Sequence, residues 1–503
     1  MANALPPAAS CSPPIIAAFS TDTLFSRFSP HRNGGGWEGK TNPLSKEHLP
    51  DYFSVANPAG LRREYPVGGD FIARFAGMGR DELRAIQEGR FRRCLERAWA
   101  TPFYRRLWGE AGLEPGDVQS LEDLERLPVF SKSDLMKSVE ANPPFGDYHA
   151  HRDDDPRAGP AGLVMQTTSG TTGAPQPIFF GPRSRELQAL MVARAWLLQG
   201  LKDGDVVHSS YAHGMVNAGH FVREAALHYT RALLLSAGAG NETPSVSQVA
   251  NMARFGATVL VGFADYLRKL ADTARSRGLE PGRDIQVRMI STHLGLMPRE
   301  ELAQAWAAET VYDWYGVGDT GLIATEGPDL DGMHVMEDAH FLEILDPDSQ
   351  RPAADGEAGE LVCTCLYKND AYPIIRFNTR DMSARLAGSN ALGLPFGRIA
   401  GFLGRSDNMV KFKGINFYPE AAAAVLVEME EYAGDYLCVR KGEQLHIEIE
   451  ANDPRLPGLA DRIGALIRER LGVRVPVKLL EPGSLGELTG SESRQKPRRL
   501  ITR

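Results

Sequence analysis

Helical and strand patterns alternate through the middle of the chain, and few folds accommodate that order. Residues 183–198 have helical spacing, and three short segments, 206–209, 258–263 and 287–292, have the pattern of short buried strands. A helical segment, 265–276, separates the last two runs. Because neighbouring parallel strands need a crossover helix between them, this order predicts an α/β body built on a largely parallel sheet.

The segments on either side of this body have other patterns. The first part of the chain is rich in Pro, Ser, Asn and Gly, which indicates an irregular arm, whereas apolar residues from Leu83 to Ala98 recur at helical spacing. The runs 341–345 and 360–366 alternate like antiparallel strands. We therefore predict an N-terminal arm, partly irregular, over 1–78, a large domain over 79–405 and a small C-terminal α+β domain over 406–503.

Composition argues against several classes of protein. The 503 residues include 56 Lys and Arg against 64 Asp and Glu, and the net charge of −8 disfavours a general nucleic-acid binder. Five cysteines, an odd number, do not make a disulfide framework, so a reducing, cytoplasmic location is expected. No apolar run approaches the ~18–20 residues of a membrane span, and no secretory signal is recognisable. We expect a soluble enzyme with neither nucleic acid nor membrane as a partner.

Residues 167–175 (TTSGTTGAP) concentrate hydroxyl groups and flexible backbone in one loop. Its two glycines permit tight turns, and its hydroxyl and N–H groups can converge on phosphate oxygens. The loop is not a Walker motif, because no Gly-Lys-Ser/Thr follows. The alternative is a Ser/Thr-rich surface turn, since hydroxyl-rich turns are common.

This loop is similar to the phosphate loop of the adenylate-forming superfamily, which contains acyl-CoA synthetases, non-ribosomal adenylation domains and luciferases. Four further segments resemble motifs of that superfamily in the expected order, namely residues 312–319 (YDWYGVGD), 375–381 (IRFNTRD), 404–414 (GRSDNMVKFKG) and 491–500 (SESRQKPRRL). The phenylacetate-CoA ligase branch is the most similar, through stretches such as PFYRR at 102–106, KSDL at 132–135 and INFYP at 415–419. The resemblance runs from about residue 79 to 499. It implies a large α/β body of adenylate-forming type plus a small, mobile C-terminal α+β domain.

The resemblance implies a two-step reaction with ATP, Mg²⁺ and CoA. A carboxylate attacks the α-phosphate of ATP to give an acyl-adenylate and pyrophosphate, and a thiol then displaces AMP. By their positions in the motifs, the residues implied at the nucleotide are Ser169, Gly170, Thr171, Thr172 and Gly173 at the phosphates, Tyr315 and Gly316 beside the adenine and the acyl end, Asp381 at the ribose hydroxyls, and Arg405 at the ribose or a phosphate.

Three further residues have roles implied by the resemblance. Asp319 stands where the family has a Mg²⁺-binding Glu, and Asp407 is the hinge about which the small domain rotates. Lys496 bridges the α-phosphate and the carboxylate during adenylation, where a compact cation favours the developing charge. The alternatives are that Asp319 and Asp381 are surface turn acids, that Asp407 is a helix cap, and that Lys496 belongs to a solvated basic tail.

The chain also departs from the family in places. Ala174 replaces the Lys that the family frequently has after Thr-Thr-Gly, and residues 291–296 (STHLGL) stand where the branch has Gly-Ala-Glu-Pro near the adenine and acyl pocket. Residues 211–221 (YAHGMVNAGHF) resemble the branch's aromatic- and glycine-rich pocket segment, whose flat wall suits an aryl or small carboxylate. The predicted substrate pocket therefore contains Tyr211, His213, Gly214 and His293, although core or capping roles are common for a lone histidine.

These departures leave the acceptor open. The leading hypothesis is an AMP-forming ligase that joins an aryl or small organic carboxylate to CoA and, by resemblance to the branch, is a homodimer. A rival enzyme transfers the acyl group to a carrier-protein thiol or to an amine. Another rival activates a different small anion, nitrite, to diazotise an aryl amine. A non-catalytic nucleotide-binding protein is the third alternative.

Overall fold

The computed structural model describes residues 52–149, 162–168, 175–408, 410–412, 415–427, 429–442, 444–490 and 497–503. Its α-helices are α1 (Tyr52–Ala56), α2 (Pro58–Glu64), α3 (Gly68–Phe75), α4 (Arg80–Trp99), α5 (Pro102–Glu110), α6 (Lys132–Ala141), α7 (Pro182–Leu198), α8 (Ala218–Tyr229), α9 (Ser245–Phe255), α10 (Ala264–Ser276), α11 (Arg299–Trp306), α12 (Ala422–Leu426), α13 (Leu459–Leu471) and α14 (Gly486–Thr489). Short 3₁₀ helices span Leu121–Arg126 and Pro419–Ala421.

The strands are β1 (Phe130–Ser131), β2 (Val164–Thr167), β3 (Pro177–Phe180), β4 (Val206–Ser209), β5 (Leu233–Ser236), β6 (Val259–Phe263), β7 (Met289–His293), β8 (Thr310–Val317), β9 (Gly321–Glu326), β10 (Met333–Val335), β11 (His340–Leu345), β12 (Ala358–Cys365), β13 (Phe377–Leu386), β14 (Arg398–Ile399), β15 (Gly404–Arg405), β16 (Val410–Phe412), β17 (Ile415–Phe417), β18 (Tyr432–Lys441), β19 (Gln444–Ala451), β20 (Val477–Leu480) and β21 (Leu500–Thr502).

A mixed sheet of 13 strands organises the larger part of the described residues. Its order is β11-β12-β13-β14-β10-β9-β8-β7-β6-β4-β5, and β1 and β15 also pair with β13. The strands from β8 to β5 run parallel, whereas β8 to β12 pair antiparallel along that order. The prediction of an α/β body with a parallel section and an antiparallel section is confirmed.

Helices cover both faces of the parallel section. Val207, Val259 and Met289 face one core, which contains the apolar side chains of α7 and α8, and Leu260 and Ile290 face a second core with α9, α10 and α11. The predicted helices and strands of this region agree with α7, β4, β6, α10 and β7 to within two residues at each end. Burial on both faces agrees with the apolar residues of β6, while β4 and β7 also bury the polar side chains of His208, Ser291 and Thr292.

A separate four-stranded sheet forms near the C-terminus. Its order is β20-β19-β18-β21, with β18 and β19 antiparallel and the outer strands parallel to their neighbours. Helix α13 contributes Ile463 and Ile467 to the same hydrophobic core as Ile447 and Ile449 of β19. The small α+β unit expected at this end of the chain is present, while the predicted boundary at residue 405 stays a prediction.

Residues 52–75, within the predicted N-terminal arm, are mostly helical, so the irregular part predicted for this arm is not here. They form α1, α2 and α3, and Phe71 and Phe75 pack on Phe396 with ring centroids 5.7 and 5.0 Å apart. Arg194 of α7 also donates to the Pro66 carbonyl at 2.9 Å. The Pro and Gly residues of this segment concealed the i, i+4 aromatic pair in the sequence. Residues 1–51 lie outside the described part, and within that part no helix is long and apolar enough to cross a membrane.

Candidate active site

Asp381 is a buried carboxylate on β13 with two donors. Its Oδ2 accepts a hydrogen bond from the Tyr315 hydroxyl at 2.9 Å, and its Oδ1 accepts one from Arg405 Nη1 at 2.8 Å. Antiparallel pairing of β15 with β13 sets Arg405 directly opposite Asp381, while β8 supplies Tyr315. Tyr315 and Arg405, from distant parts of the sequence, therefore meet at Asp381 and fix the orientation of its carboxylate. That carboxylate is suited to accept hydrogen bonds from hydroxyl groups.

Arg405 also binds the predicted hinge residue. Its Nε and Nη2 donate to the two carboxylate oxygens of Asp407 at 2.8 and 2.7 Å, a two-bond ion pair. Burial opposes the charge of the guanidinium, but the neighbouring Asp407 and Asp381 outweigh it and raise the pKa of Arg405. One arginine thus joins the carboxylate expected at the ribose to the residue expected at the hinge.

Asp319 lies in the turn after β8 and is almost completely buried. Its Oδ1 accepts hydrogen bonds from Gln176 Nε2 at 2.7 Å and the Tyr372 hydroxyl at 3.0 Å, and Lys368 Nζ donates to its backbone carbonyl at 2.7 Å. Burial raises the pKa of Asp319, and the positive charge of Lys368 offsets part of that rise. No hydrogen bond from a described residue engages Oδ2. An oriented carboxylate with one such oxygen fits a hard cation such as Mg²⁺.

Lys132, which was not among the predicted site residues, lies between these two clusters. Its Nζ donates to Thr168 Oγ1 at 3.0 Å. Burial lowers the pKa of Lys132, Asp319 and Asp407 act to raise it, and Arg405 acts to lower it, so all three charges are within electrostatic reach. The capping box of Ser131 and Asp134 makes Lys132 the first residue of α6, and that box is the signal in the sequence that fixes its position.

The two ends of the predicted phosphate loop meet inside this site. Strands β2 and β3 pair antiparallel, the Thr168 N–H donates to the Gln176 carbonyl at 3.1 Å, and the Gln176 N–H donates to Thr168 Oγ1 at 3.3 Å. Thr168 contacts Lys132, and Gln176 contacts Asp319. The loop residues Ser169, Gly170, Thr171, Thr172 and Gly173, and also Lys496, lie outside the described residues, so their roles stay predictions.

Aromatic rings line the carboxyl ends of the parallel strands. The His293 ring lies 3.9 Å from Trp314 and 5.6 Å from Phe263, measured between ring centroids, and Tyr211 lies 5.1 Å from Phe263. Tyr211 is fully buried, and its hydroxyl donates to the Gly262 carbonyl at 2.9 Å. The structure therefore brings together two of the predicted pocket residues, Tyr211 and His293, with Tyr211 supporting the wall from behind.

The other two predicted pocket residues lie on the loop that precedes α8. The His213 ring nitrogen Nε2 is 2.9 Å from Ser236 Oγ, and the His220 Nε2 is 2.9 Å from the Gly214 carbonyl. The two imidazole rings meet edge to face, with centroids 5.8 Å apart. Burial lowers the pKa of His213, so a neutral ring is favoured near pH 7. This loop can present one neutral imidazole as a donor or an acceptor.

Asp313 anchors the segment that departs from the family pattern. Its Oδ1 accepts the Leu294 N–H at 2.9 Å, and its own N–H donates to Glu326. Arg299 in turn donates to Glu326 at 2.6 Å. Burial raises the pKa of Asp313 to about 8, with Glu326 adding to the rise. The sequence did not single out Asp313, because an acid within a strand carries no sign of its burial.

Known proteins resemble the chain along most of its length. The family model of the AMP-binding enzyme C-terminal domain matches residues 414–501. A phenylacetate-coenzyme A ligase of Thermus thermophilus is 30% identical over 452 residues, which cover 83% of this chain and 96% of the relative. One from Escherichia coli is 26% identical over 437 residues, 82% of this chain and 94% of the relative.

A solved structure shares the architecture as well. The 2-hydroxyisobutyryl-CoA ligase in the postadenylation state with 2-HIB-AMP has a TM-score of 0.74 and 27% identity, over 86% of this chain and 91% of that chain. The same enzyme with 2-HIB-AMP and CoA in the thioesterification state has a TM-score of 0.62 and 27% identity, over 85% of this chain and 91% of that chain.

Proposed function

Since this chain belongs to the phenylacetate-coenzyme A ligase family of adenylate-forming enzymes, it is an ATP-dependent, AMP-forming acid–thiol ligase, and we propose that Asp381, Asp319 and Lys132 hold its ATP. One observation carries this proposal. The two ends of the phosphate loop contact Lys132 and, through Gln176, Asp319, and Lys132 is within electrostatic reach of Arg405, which holds Asp381. Groups suited to phosphate and metal thus border one loop, and the arginine that holds the proposed ribose ligand is within electrostatic reach of one of them.

In the first half-reaction, Asp381 accepts hydrogen bonds from the ribose hydroxyls, because Tyr315 and Arg405 already hold its carboxylate in a fixed orientation. Lys132 and the loop residues Ser169, Gly170, Thr171, Thr172 and Gly173 hold the phosphates, where positive charge and N–H groups favour the anion. Gly316, the residue after Tyr315 in the sequence, lies beside the adenine. Asp319 would hold Mg²⁺, which would supply positive charge to offset that of the phosphates.

The carboxylate substrate lies against the aromatic wall. Trp314, which contacts His293, is the neighbour of Tyr315 on β8, so one strand contributes to both the aromatic wall and the nucleotide cluster, with the two side chains on opposite faces of the sheet. A flat apolar wall favours an aryl acid. Phenylacetate is the acid named for the Thermus thermophilus relative, and a small branched hydroxy acid for the structural neighbour. We infer an aryl acid of phenylacetate size, activated with the help of Lys496.

One set of assays tests the acid and the acceptor, and a separate measurement tests the oligomeric state. Pyrophosphate release is measured with phenylacetate, benzoate, 2-hydroxyisobutyrate and acetate, each with and without CoA, and with nitrite plus an aryl amine. The proposal predicts release that requires an aryl acid, followed by CoA consumption. Release without CoA consumption indicates a carrier-protein or amine acceptor, and release that requires nitrite indicates diazotisation. Sedimentation velocity tests the homodimer expected from the branch. ATP binding without turnover of any acid contradicts the proposal.

A further inference from the structure

Arg405 has three N–H groups engaged by two carboxylates that serve different steps. Nη1 binds Asp381, the proposed ribose ligand, while Nε and Nη2 bind the two oxygens of Asp407, the proposed hinge. The Asp381 side chain is 8% exposed, that of Arg405 35% and that of Asp407 49%. The ion pair with Asp381 is therefore buried at one end of the guanidinium, and the pair with Asp407 reaches solvent at the other.

Backbone hydrogen bonds hold the segment before Asp407 on the large sheet. Gly404 and Arg405 pair with Met382 and Asp381 of β13, and the Ser406 N–H donates to the Arg380 carbonyl at 2.8 Å. The Ser406 hydroxyl also donates to the buried Glu360. These contacts fix the guanidinium of Arg405 relative to the large domain. Asp407 is the next residue, so a change in its backbone torsions moves its carboxylate while the guanidinium stays in place.

We propose that Arg405 is a positioning residue that latches the hinge, holding Asp407 by the two-bond pair in the orientation of the adenylation half-reaction. This inference rests on the proposed function and assigns the latch to that site. A two-bond pair demands coplanar geometry, so rotation about Asp407 breaks both bonds. The TM-scores agree in direction, because the fold with this pair formed resembles the postadenylation state (0.74) more than the thioesterification state (0.62) of one enzyme.

The size of the effect follows from exposure. A half-exposed, two-bond pair within a network of charges shifts an equilibrium by about fivefold, the upper part of the range for surface pairs. That is small enough for CoA binding to overcome and large enough to measure. Since Asp407 reaches solvent, salt also weakens the latch.

The test measures the hinge equilibrium directly, without an identified acid. The full chain carries fluorescent donor and acceptor labels at Arg231→Cys and Arg455→Cys, two exposed positions, in a Cys11→Ser background; the other four cysteines are buried. Single-molecule energy transfer gives the populations of the two states with ATP and Mg²⁺, and with AMP and CoA. Asp407→Asn keeps the shape of the side chain and removes its charge.

Asp331→Asn is the matched control, since Asp331 pairs with Arg398 at 59% exposure, on the large domain away from the hinge. The latch predicts that Asp407→Asn shifts the populations about fivefold away from the state favoured by ATP, that Arg405→Lys does the same, and that 0.5 M salt shifts wild type but not Asp407→Asn. Asp331→Asn leaves the populations unchanged.

Two results overturn the latch. Populations of Asp407→Asn within twofold of wild type exclude it, and so does an equal shift in Asp331→Asn, which shows a general effect of charge. Neither result depends on turnover. If no acid supports pyrophosphate release but the shift is present, the proposed function fails and the latch stands. If turnover is normal but the shift is absent, the latch alone fails.

Discussion

Removing the Tyr315 hydroxyl tests whether Asp381 is the ribose ligand. In Tyr315→Phe the ring stays, and Asp381 Oδ2 loses the donor at 2.9 Å while Arg405 keeps its hold on Oδ1. A hydrogen bond to a charged group contributes about 1.5–3 kcal/mol. Since one of two orienting bonds survives, we expect the lower end, which corresponds to about a tenfold rise in KM for ATP. The kcat should change little, because orientation of the ribose acts on binding in both ground and transition states.

A nucleotide without ribose hydroxyls separates this role from a structural one. 2′,3′-Dideoxy-ATP lacks the ribose hydroxyls that Asp381 is proposed to bind. With this nucleotide, Tyr315→Phe should therefore raise KM by no more than about twofold relative to wild type. Pyrophosphate release with phenylacetate gives KM for both nucleotides, and urea unfolding checks that the variant folds. An equal rise in KM with ATP and with the dideoxy nucleotide refutes the assignment of Asp381 to the ribose.

Three further substitutions probe the metal, the phosphates and the adenine side. Asp319→Asn should raise by more than about tenfold the Mg²⁺ concentration for half-maximal pyrophosphate release, since the proposed ligand loses its charge. Lys132→Met should raise KM for ATP about tenfold without lowering the free energy of unfolding, because its charge faces the phosphates and burial opposes that charge. Asp313 has its pKa raised to about 8, so its contribution to stability is present below pH 4 and lost as pH rises toward 8. The change in the free energy of unfolding caused by Asp313→Asn, measured against wild type by urea titration, should therefore be more positive at pH 8 than at pH 5 by at least about 1.4 kcal/mol. An equal difference between variant and wild type at the two pH values would contradict the raised pKa.

The ordered motifs in the sequence predicted the fold class, and they included the three residues that meet at Asp381. Strands β4, β6 and β7 are short segments between helical patterns, which makes them recognisable in the sequence. The motif positions of Tyr315, Asp381 and Arg405 lie on strands that pair or pack together. Such residues are recognisable because their chemistry and their local pattern agree.

The remaining site residues were beyond prediction for a common reason. Gln176, Lys368 and Tyr372 act on Asp319 from segments that no local pattern links to it. Lysine is most often a surface residue, and no local pattern indicates that the start of α6 brings Lys132 to Thr168. Periodicity reports which face of an element is apolar, and it does not report which distant polar groups share an interior.

The enclosed side chain of Lys368 makes the charges of two buried groups depend on each other. Its Nζ lies 4.6 Å from the Phe180 ring and 4.5 Å from the Tyr372 ring, completely enclosed behind Asp319. Burial lowers the pKa of Lys368, and the negative charge of Asp319 is among the influences that raise it, while the positive charge of Lys368 offsets part of the rise in the pKa of Asp319. Each group therefore makes the charged form of the other less costly, so a substitution that removes one charge should make the other group more readily neutral.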